Sequence, residues 1–282
     1  MRRVADGLPG TAASILGYGI LVALLAVGVQ SGRFPIPGGD TVNFLDAGMR
    51  LRLGGPVYTG DWNQAGTVYY APPLVVLFAA FTYLPPWALW VIFAALDFAG
   101  LRYLAGSWRR VGWAGLVPVT AFQLASGNPN FAIVAACLAA SSAPAVAAVA
   151  ALAKVGPAAA IPLSGWRPAL AVVAVAALVT LPWLALWPAW VAYLIAAPHD
   201  PGWPVVVPVL LRLPLVAALV LIRKPWSRAL AGALAIPGFY IVTLWATIIL
   251  AARLLLDARF RREPHLHRRS ASRLPALTEP GA

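Results

Sequence analysis

The chain has 282 residues, 61% of them hydrophobic and only 11% charged, with a mean hydropathy of +0.80. A soluble globular chain carries roughly 25% charged residues, so this composition excludes that class and points to an integral membrane protein. The net charge of +12 does not signal nucleic-acid binding, because the basic residues gather between apolar segments as the positive-inside rule describes. A single cysteine, Cys137, excludes an intrachain disulfide or a Cys-rich metal site.

Residues 11–30 carry no charge and are long enough to cross ~30 Å of hydrocarbon. A secretory signal would share the pattern of Arg2 and Arg3 before an apolar run, but the apolar segments downstream favour a first span with a cytoplasmic N-terminus. Residues 31–71 then emerge outside. Keeping the clusters Arg102/Arg109/Arg110, Arg167, Arg223/Lys224/Arg228 and Arg253 to Arg273 inside sets the other crossings. They are 86–106, 112–126, 130–141, 144–154, 157–164, 167–187, 205–222, 228–237 and 239–257.

The expected fold is an all-α polytopic membrane protein of about ten transmembrane or half-spanning helices, with both termini cytoplasmic. Residues 1–257 form one membrane domain. The Arg- and Pro-rich tail 258–282 lacks an apolar period and is expected to be disordered on the anionic cytoplasmic leaflet. All but five of the 21 Lys and Arg fall inside; the exceptions are Arg33, Arg50, Arg52, Lys154 and Arg212.

Several crossings are too short to span alone. Gly127, Pro129, Gly156, Pro157, Pro237 and Gly238 at their outer ends predict broken helices around a cavity, where irregular backbone at membrane depth is tolerated. Trp87, Trp90, Trp108, Trp113, Trp166, Trp187, Trp190 and Trp203 fit interfacial belts.

The outer loop 31–85 holds most of the candidate chemistry. Residues 40–53 read as a helix on the membrane surface, with Asp40 able to cap its start, Phe44, Leu45, Met49 and Leu53 facing the interface, and Gly54-Gly55-Pro56 stopping it. Asp46 lies roughly 600° around from Asp40 at ~100° per residue, so the two do not form a carboxylate pair. After Tyr69-Tyr70-Ala71-Pro72-Pro73-Leu74, residues 72–84 are too short to span and suit a second juxtamembrane helix.

These pieces recur in a known order. An Asp after the first span is followed by Gly54-Gly55-Pro56-Val57-Tyr58, Tyr70-Ala71-Pro72-Pro73-Leu74, Leu84-Pro85, Gly127-Asn128-Pro129-Asn130 and Lys154-Val155-Gly156-Pro157. Over residues 12–165 the chain resembles the GT-C class of membrane glycosyltransferases, and most closely family 87, the polyprenol-phosphate-mannose-dependent mannosyltransferases. The family's Gln in the turn motif is Asn128 here, and its Lys-Pro is stretched to Lys154-Val155-Gly156-Pro157.

The resemblance implies an inverting enzyme that takes a hexose, mannose by family, from a polyprenyl-phosphate donor to a lipid or glycan acceptor. It implies the outer face of a bacterial plasma membrane, and Asp40 as the general base that takes the acceptor proton. No Asp-x-Asp occurs, no cofactor is expected, and metal dependence stays open. Lys154, by family position, and Arg212, as a charge at membrane depth, are the candidates for the donor phosphate. Snorkelling and a buried partner are their respective alternatives. Tyr70, Asn128, Asn130 and His199 are candidates for sugar or acceptor contact, against interfacial anchoring, backbone satisfaction and a plain turn. Rival functions are a transporter or flippase of an anionic lipid-linked substrate, and a degenerate structural partner of another transferase.

Overall fold

In a computed structural model, residues 39–58, 68–196 and 207–262 are described. The expected first span, Arg33, Asp61, His199, Trp203 and residues 263–282 lie outside them. The described residues form twelve α-helices joined by turns and short 3₁₀ segments, with no strand among them. In chain order the helices are α1 (Gly39–Arg52), α2 (Pro72–Phe81), α3 (Pro86–Ala105), α4 (Trp108–Gly115), α5 (Pro118–Ser126) and α6 (Asn130–Ala139). They continue as α7 (Pro144–Ala153), α8 (Trp166–Val179), α9 (Leu186–Ala196), α10 (Val209–Ile222), α11 (Pro225–Leu234) and α12 (Ile241–Arg262).

Proline does much of the punctuation. Helices α2, α3, α5, α7 and α11 each carry Pro in their first positions, where its missing N–H costs nothing and its fixed φ suits helix entry. The same residue divides segments that the hydrophobic pattern joins. The expected 112–126 crossing is two helices, because Val117 before Pro118 takes an extended conformation (φ −85°, ψ 122°). Residues 157–164 form no crossing but two 3₁₀ turns, Gly156–Ala160 and Leu163–Gly165. The expected 167–187 span ends at Val179, and Pro182 and the 3₁₀ turn Leu181–Trp183 lead into α9, an added helix. Helix α12 runs past residue 257 to Arg262, so the expected tail boundary moves outward by one helical turn.

Both helices expected in the 31–85 loop are present as α1 and α2. Helix α1 ends at Arg52, just before Gly54, whose φ is 74°, and packs on α2, α3 and α5. Phe44 does not face outward as expected: it is 4% exposed and stacks on Tyr70 and Phe78 at 4.8 and 5.1 Å. Leu53 does remain exposed.

The core is built around α6, whose neighbours are α3, α7, α11 and α12. Its contact with α3 is close enough that a Cβ at Gly100 would sit 2.4 Å from the backbone nitrogen of Ala132, so this crossing requires glycine. Helix α3, 20 residues long, is the one described helix both long and apolar enough to cross a membrane. The outward faces of α8 and α10 are strongly apolar, with Leu170, Val175, Leu178, Leu210, Leu211 and Leu221 all exposed.

Candidate active site

Three breaks between helices meet at one end of the bundle. The first is the turn from α5 to α6. Gly127 adopts φ 74° there, a conformation that strains any L side chain, and the Ser126 hydroxyl accepts the Asn128 N–H at 3.3 Å. The second is Lys154, which ends α7 in extended backbone (φ −146°, ψ 118°). The third is the link from α11 to α12, residues 235–240. Residues 68–71 lie against the second break, since the Ala71 N–H donates to the Leu152 carbonyl at 2.8 Å. The Tyr58 hydroxyl, at the end of the Gly54-Gly55 element, fixes this strand of chain by donating to the Tyr70 carbonyl at 2.9 Å.

Asp40 stands inside the first turn of α1, not before it as a cap. Its carboxylate thus lies at the positive end of that helix, where Asn128 and Ser126 hydrogen-bond to it and Lys154 adds an opposite charge. Burial nonetheless dominates and raises Asp40 above the ordinary aspartate value, with Asn128, then Lys154, then Ser126 opposing the rise. A carboxylate destabilised in this way is a stronger base than an exposed one.

The amides of the turn have defined orientations. The Tyr70 hydroxyl donates to Asn128 Oδ1 at 3.1 Å, which leaves the Nδ2 group to face Asp40. Lys154 Nζ donates to Asn130 Oδ1, and Asn130 Nδ2 donates to Gln123 Oε1 at 2.9 Å. Gln123 Nε2 then donates to Asp97 Oδ2 at 2.8 Å and to the Asn128 carbonyl. Asp97 completes the network by accepting the Ala132 N–H at 3.0 Å, and that of Phe131 as well. From α3 it therefore satisfies the first, otherwise orphaned, N–H groups of α6.

Beside Lys154 a pocket opens, lined by Tyr69, Lys154, Trp190, Leu194, Pro237 and Tyr240. The Tyr69 and Tyr240 hydroxyls hydrogen-bond to each other, Trp190 Nε1 donates to the Tyr69 carbonyl at 2.9 Å, and Lys154 Nζ lies 5.7 Å from the centre of the Tyr240 ring. The arrangement sets Lys154 and the phenols Tyr69 and Tyr240 around an apolar-walled opening, with the half-buried Asp40 carboxylate within the field of Lys154.

Asp40, Lys154, Asn128, Asn130 and Tyr70 are thus gathered at one place, but three of them do different work from that expected. Asn130 is 2% exposed and uses both amide atoms inside the protein, so it holds Lys154 and offers no contact to a sugar. Tyr70 is 1% exposed, its ring packed among Phe44 and Phe78, and its hydroxyl orients Asn128. Asn128 in turn sits on Asp40. Arg212 is elsewhere: its guanidinium donates to the carbonyls of Val207 (2.9 Å), Ile236 (3.0 Å), Pro237 (3.2 Å) and Leu234. It therefore supports the wall behind the pocket and does not present a phosphate site. Of the other cations that topology left unexplained, Arg50 pairs with Asp46 at 2.9 Å, and Arg52 bonds Thr82 Oγ1 at 3.0 Å and covers the Tyr83 ring.

Sequence reasoning missed Asp97, Gln123 and Tyr240. Asp97 had a legible signal, a lone acid inside an uncharged apolar stretch of 86–101, which in a span marks a partnered or functional group. Gln123 and Tyr240 had none. Comparison of the chain with known protein families, curated proteins and solved structures found no match.

Proposed function

We propose that this chain is a polytopic membrane glycosyltransferase that moves a hexose, with mannose the first to test, from a polyprenyl-phosphate donor to a lipid or glycan acceptor. The observation that carries the reading is that Asp40 and Lys154, 114 positions apart in the chain, interact as opposite charges, with Lys154 also lining a pocket. The membrane part of the reading is supported by the composition, by the span α3, and by the exposed apolar faces of α8 and α10, which would be poorly accommodated in water.

In this mechanism Asp40 removes the proton from the acceptor hydroxyl as the oxygen attacks the anomeric carbon. The sugar–phosphate C–O bond breaks on the opposite face, so configuration inverts and the polyprenyl phosphate leaves with the bonding pair. Lys154 stabilises the charge that develops on the phosphate oxygens, and no acid is needed to protonate a phosphate leaving group. A base of this kind contributes ~10²–10⁴-fold. Carriage of an anionic lipid-linked substrate would use the same Lys154 pocket, but gives no role to a half-buried, base-like Asp40.

The test incubates purified protein with labelled polyprenyl-phosphate-mannose and a membrane lipid extract, comparing wild type with Asp40→Asn. Label in a new glycolipid with wild type alone supports transfer and identifies the acceptor. Donor binding by both proteins with transfer by neither would sink the enzyme reading for this donor and favour carriage.

A further inference from the structure

A second concavity lies along α12, away from the Asp40 end. Its lining includes Arg110 and Trp113 of α4, and Trp245, Ile248, Ile249 and Arg253 of α12. Polarity runs in one direction along it. From Arg253 back to Trp245 is ~12 Å at ~1.5 Å per residue, and that stretch of lining is apolar, with Ile248 exposed. The two arginines stand together at the far end, where α3, α4 and α12 meet. Trp113, also exposed, flanks Arg110.

We infer that this groove binds one anionic phospholipid, its phosphate between Arg110 and Arg253 and one acyl chain along Trp245, Ile248 and Ile249. The inference rests on the membrane part of the proposed function and not on sugar transfer. Charge complementarity favours an anionic headgroup: two guanidiniums face the opening against one carboxylate, Asp257, which pairs with Arg253 at 3.3 Å. Arg110 Nη1 donates to the Ala105 carbonyl at 3.2 Å, and Arg253 Nη1 to that of Tyr103. These bonds fix both side chains yet use only part of the five N–H groups each guanidinium presents. Both arginines also fall in the clusters that charge topology places on the cytoplasmic side, where anionic lipids concentrate. A headgroup at that surface with its chain pointing towards mid-membrane has the orientation that the groove's polarity requires.

The experiment is native mass spectrometry of the full chain in detergent micelles, titrated with phosphatidylglycerol and, separately, with phosphatidylcholine. Wild type should retain one phosphatidylglycerol in preference to phosphatidylcholine. Arg110→Gln, which removes a charge-assisted phosphate contact, should weaken retention at least about tenfold. Ala252→Trp, which fills the groove and keeps both charges, should weaken it as well, whereas Arg228→Gln, basic but outside the groove, should not. Equal retention by all variants, or equal retention of both lipids, would overturn the inference, as would a mass showing that a second copy of the chain covers the groove. None of these readouts needs transfer activity. Loss of transfer with lipid retention intact therefore counts against the enzyme reading alone, and a protein soluble without detergent counts against the membrane reading.

Discussion

Lys154 and Arg212 invite comparison because each stands beside a broken helix and each is a candidate for the donor phosphate. Arg212 is 5% exposed and directs its fork at four backbone carbonyls, with the Phe239 ring 4.4 Å from its Cζ. It does for the end of α11 what water would do at a surface helix terminus. Lys154 has one amide partner, Asn130, and sits in the field of Asp40 and Asp97 beside an open pocket. A buried cation therefore marks a ligand site only when the surrounding backbone has not already claimed its donors. The planar five-donor guanidinium suits the mending of broken backbone, while the single ammonium on a flexible stem suits a mobile charge.

The largest expected effect separates these two corners directly. Arg212→Gln leaves several buried carbonyls without donors, each costing ~1–3 kcal/mol, and should sharply lower the thermal midpoint and yield in detergent. Lys154→Gln should leave the midpoint nearly unchanged and lower transfer by ~10²–10³-fold, the scale for removing one group that stabilises developing charge. Thermal unfolding and transfer rate, measured on both variants, decide the matter. If Arg212→Gln folds normally yet fails to transfer, Arg212 belongs to the site and the distinction between the corners collapses.

A smaller effect concerns pH. Because burial raises Asp40, the base is protonated at a pH where an exposed aspartate would already be ionised. The transfer rate should therefore climb with pH and level off above the ordinary aspartate range, and Asp40→Asn should remove that bend along with most of the rate. Stability has the opposite sign. With the folded-state value above the unfolded one, ionising Asp40 destabilises the fold as pH rises past the ordinary aspartate value. Asp40→Asn at neutral pH should thus match or exceed the wild-type thermal midpoint, and a marked loss would show that the carboxylate serves the fold.

What the sequence disclosed follows a physical divide. Helices α2, α3 and α7 were legible because Pro opens each of them onto a largely apolar run, and α1 because Gly54-Gly55-Pro56 stops it. The subdivision of 112–126 and 167–187 was not, because hydropathy averages over Pro118 and Pro182 while the backbone does not. Lys154 stood out as a charge that topology failed to explain, and Asp40 through its place at a helix start and the family resemblance. The roles of Asn130 and Tyr70 depend on which atoms bond which neighbours, across separations such as Tyr70 to Asn128, and no local pattern records that. The backbone contacts of Arg212 were illegible for the same reason, since its partners at 234–237 are distant in the chain.

The smallest effect tests whether the support beneath Asp40 matters at all. Tyr70→Phe keeps the ring in its stack with Phe44 and Phe78 and deletes only the hydroxyl that bonds Asn128. One lost hydrogen bond should cost ~0.5–1.5 kcal/mol of stability. Its catalytic consequence runs through the loosened amide: without Tyr70 fixing its oxygen, the Asn128 side chain is held less firmly against Asp40, which weakens a donor that now opposes the rise in Asp40. The acid-side bend should then move to higher pH, with kcat reduced a few-fold (about the effect of ~1 kcal/mol) and KM unchanged. Tyr69→Phe makes the contrast, because Tyr69 lines the pocket and bonds Tyr240, so its loss should change KM and leave the bend in place. If the two variants behave alike, the turn does not tune Asp40, and Tyr70 is an ordinary buried aromatic whose hydroxyl merely satisfies its neighbour.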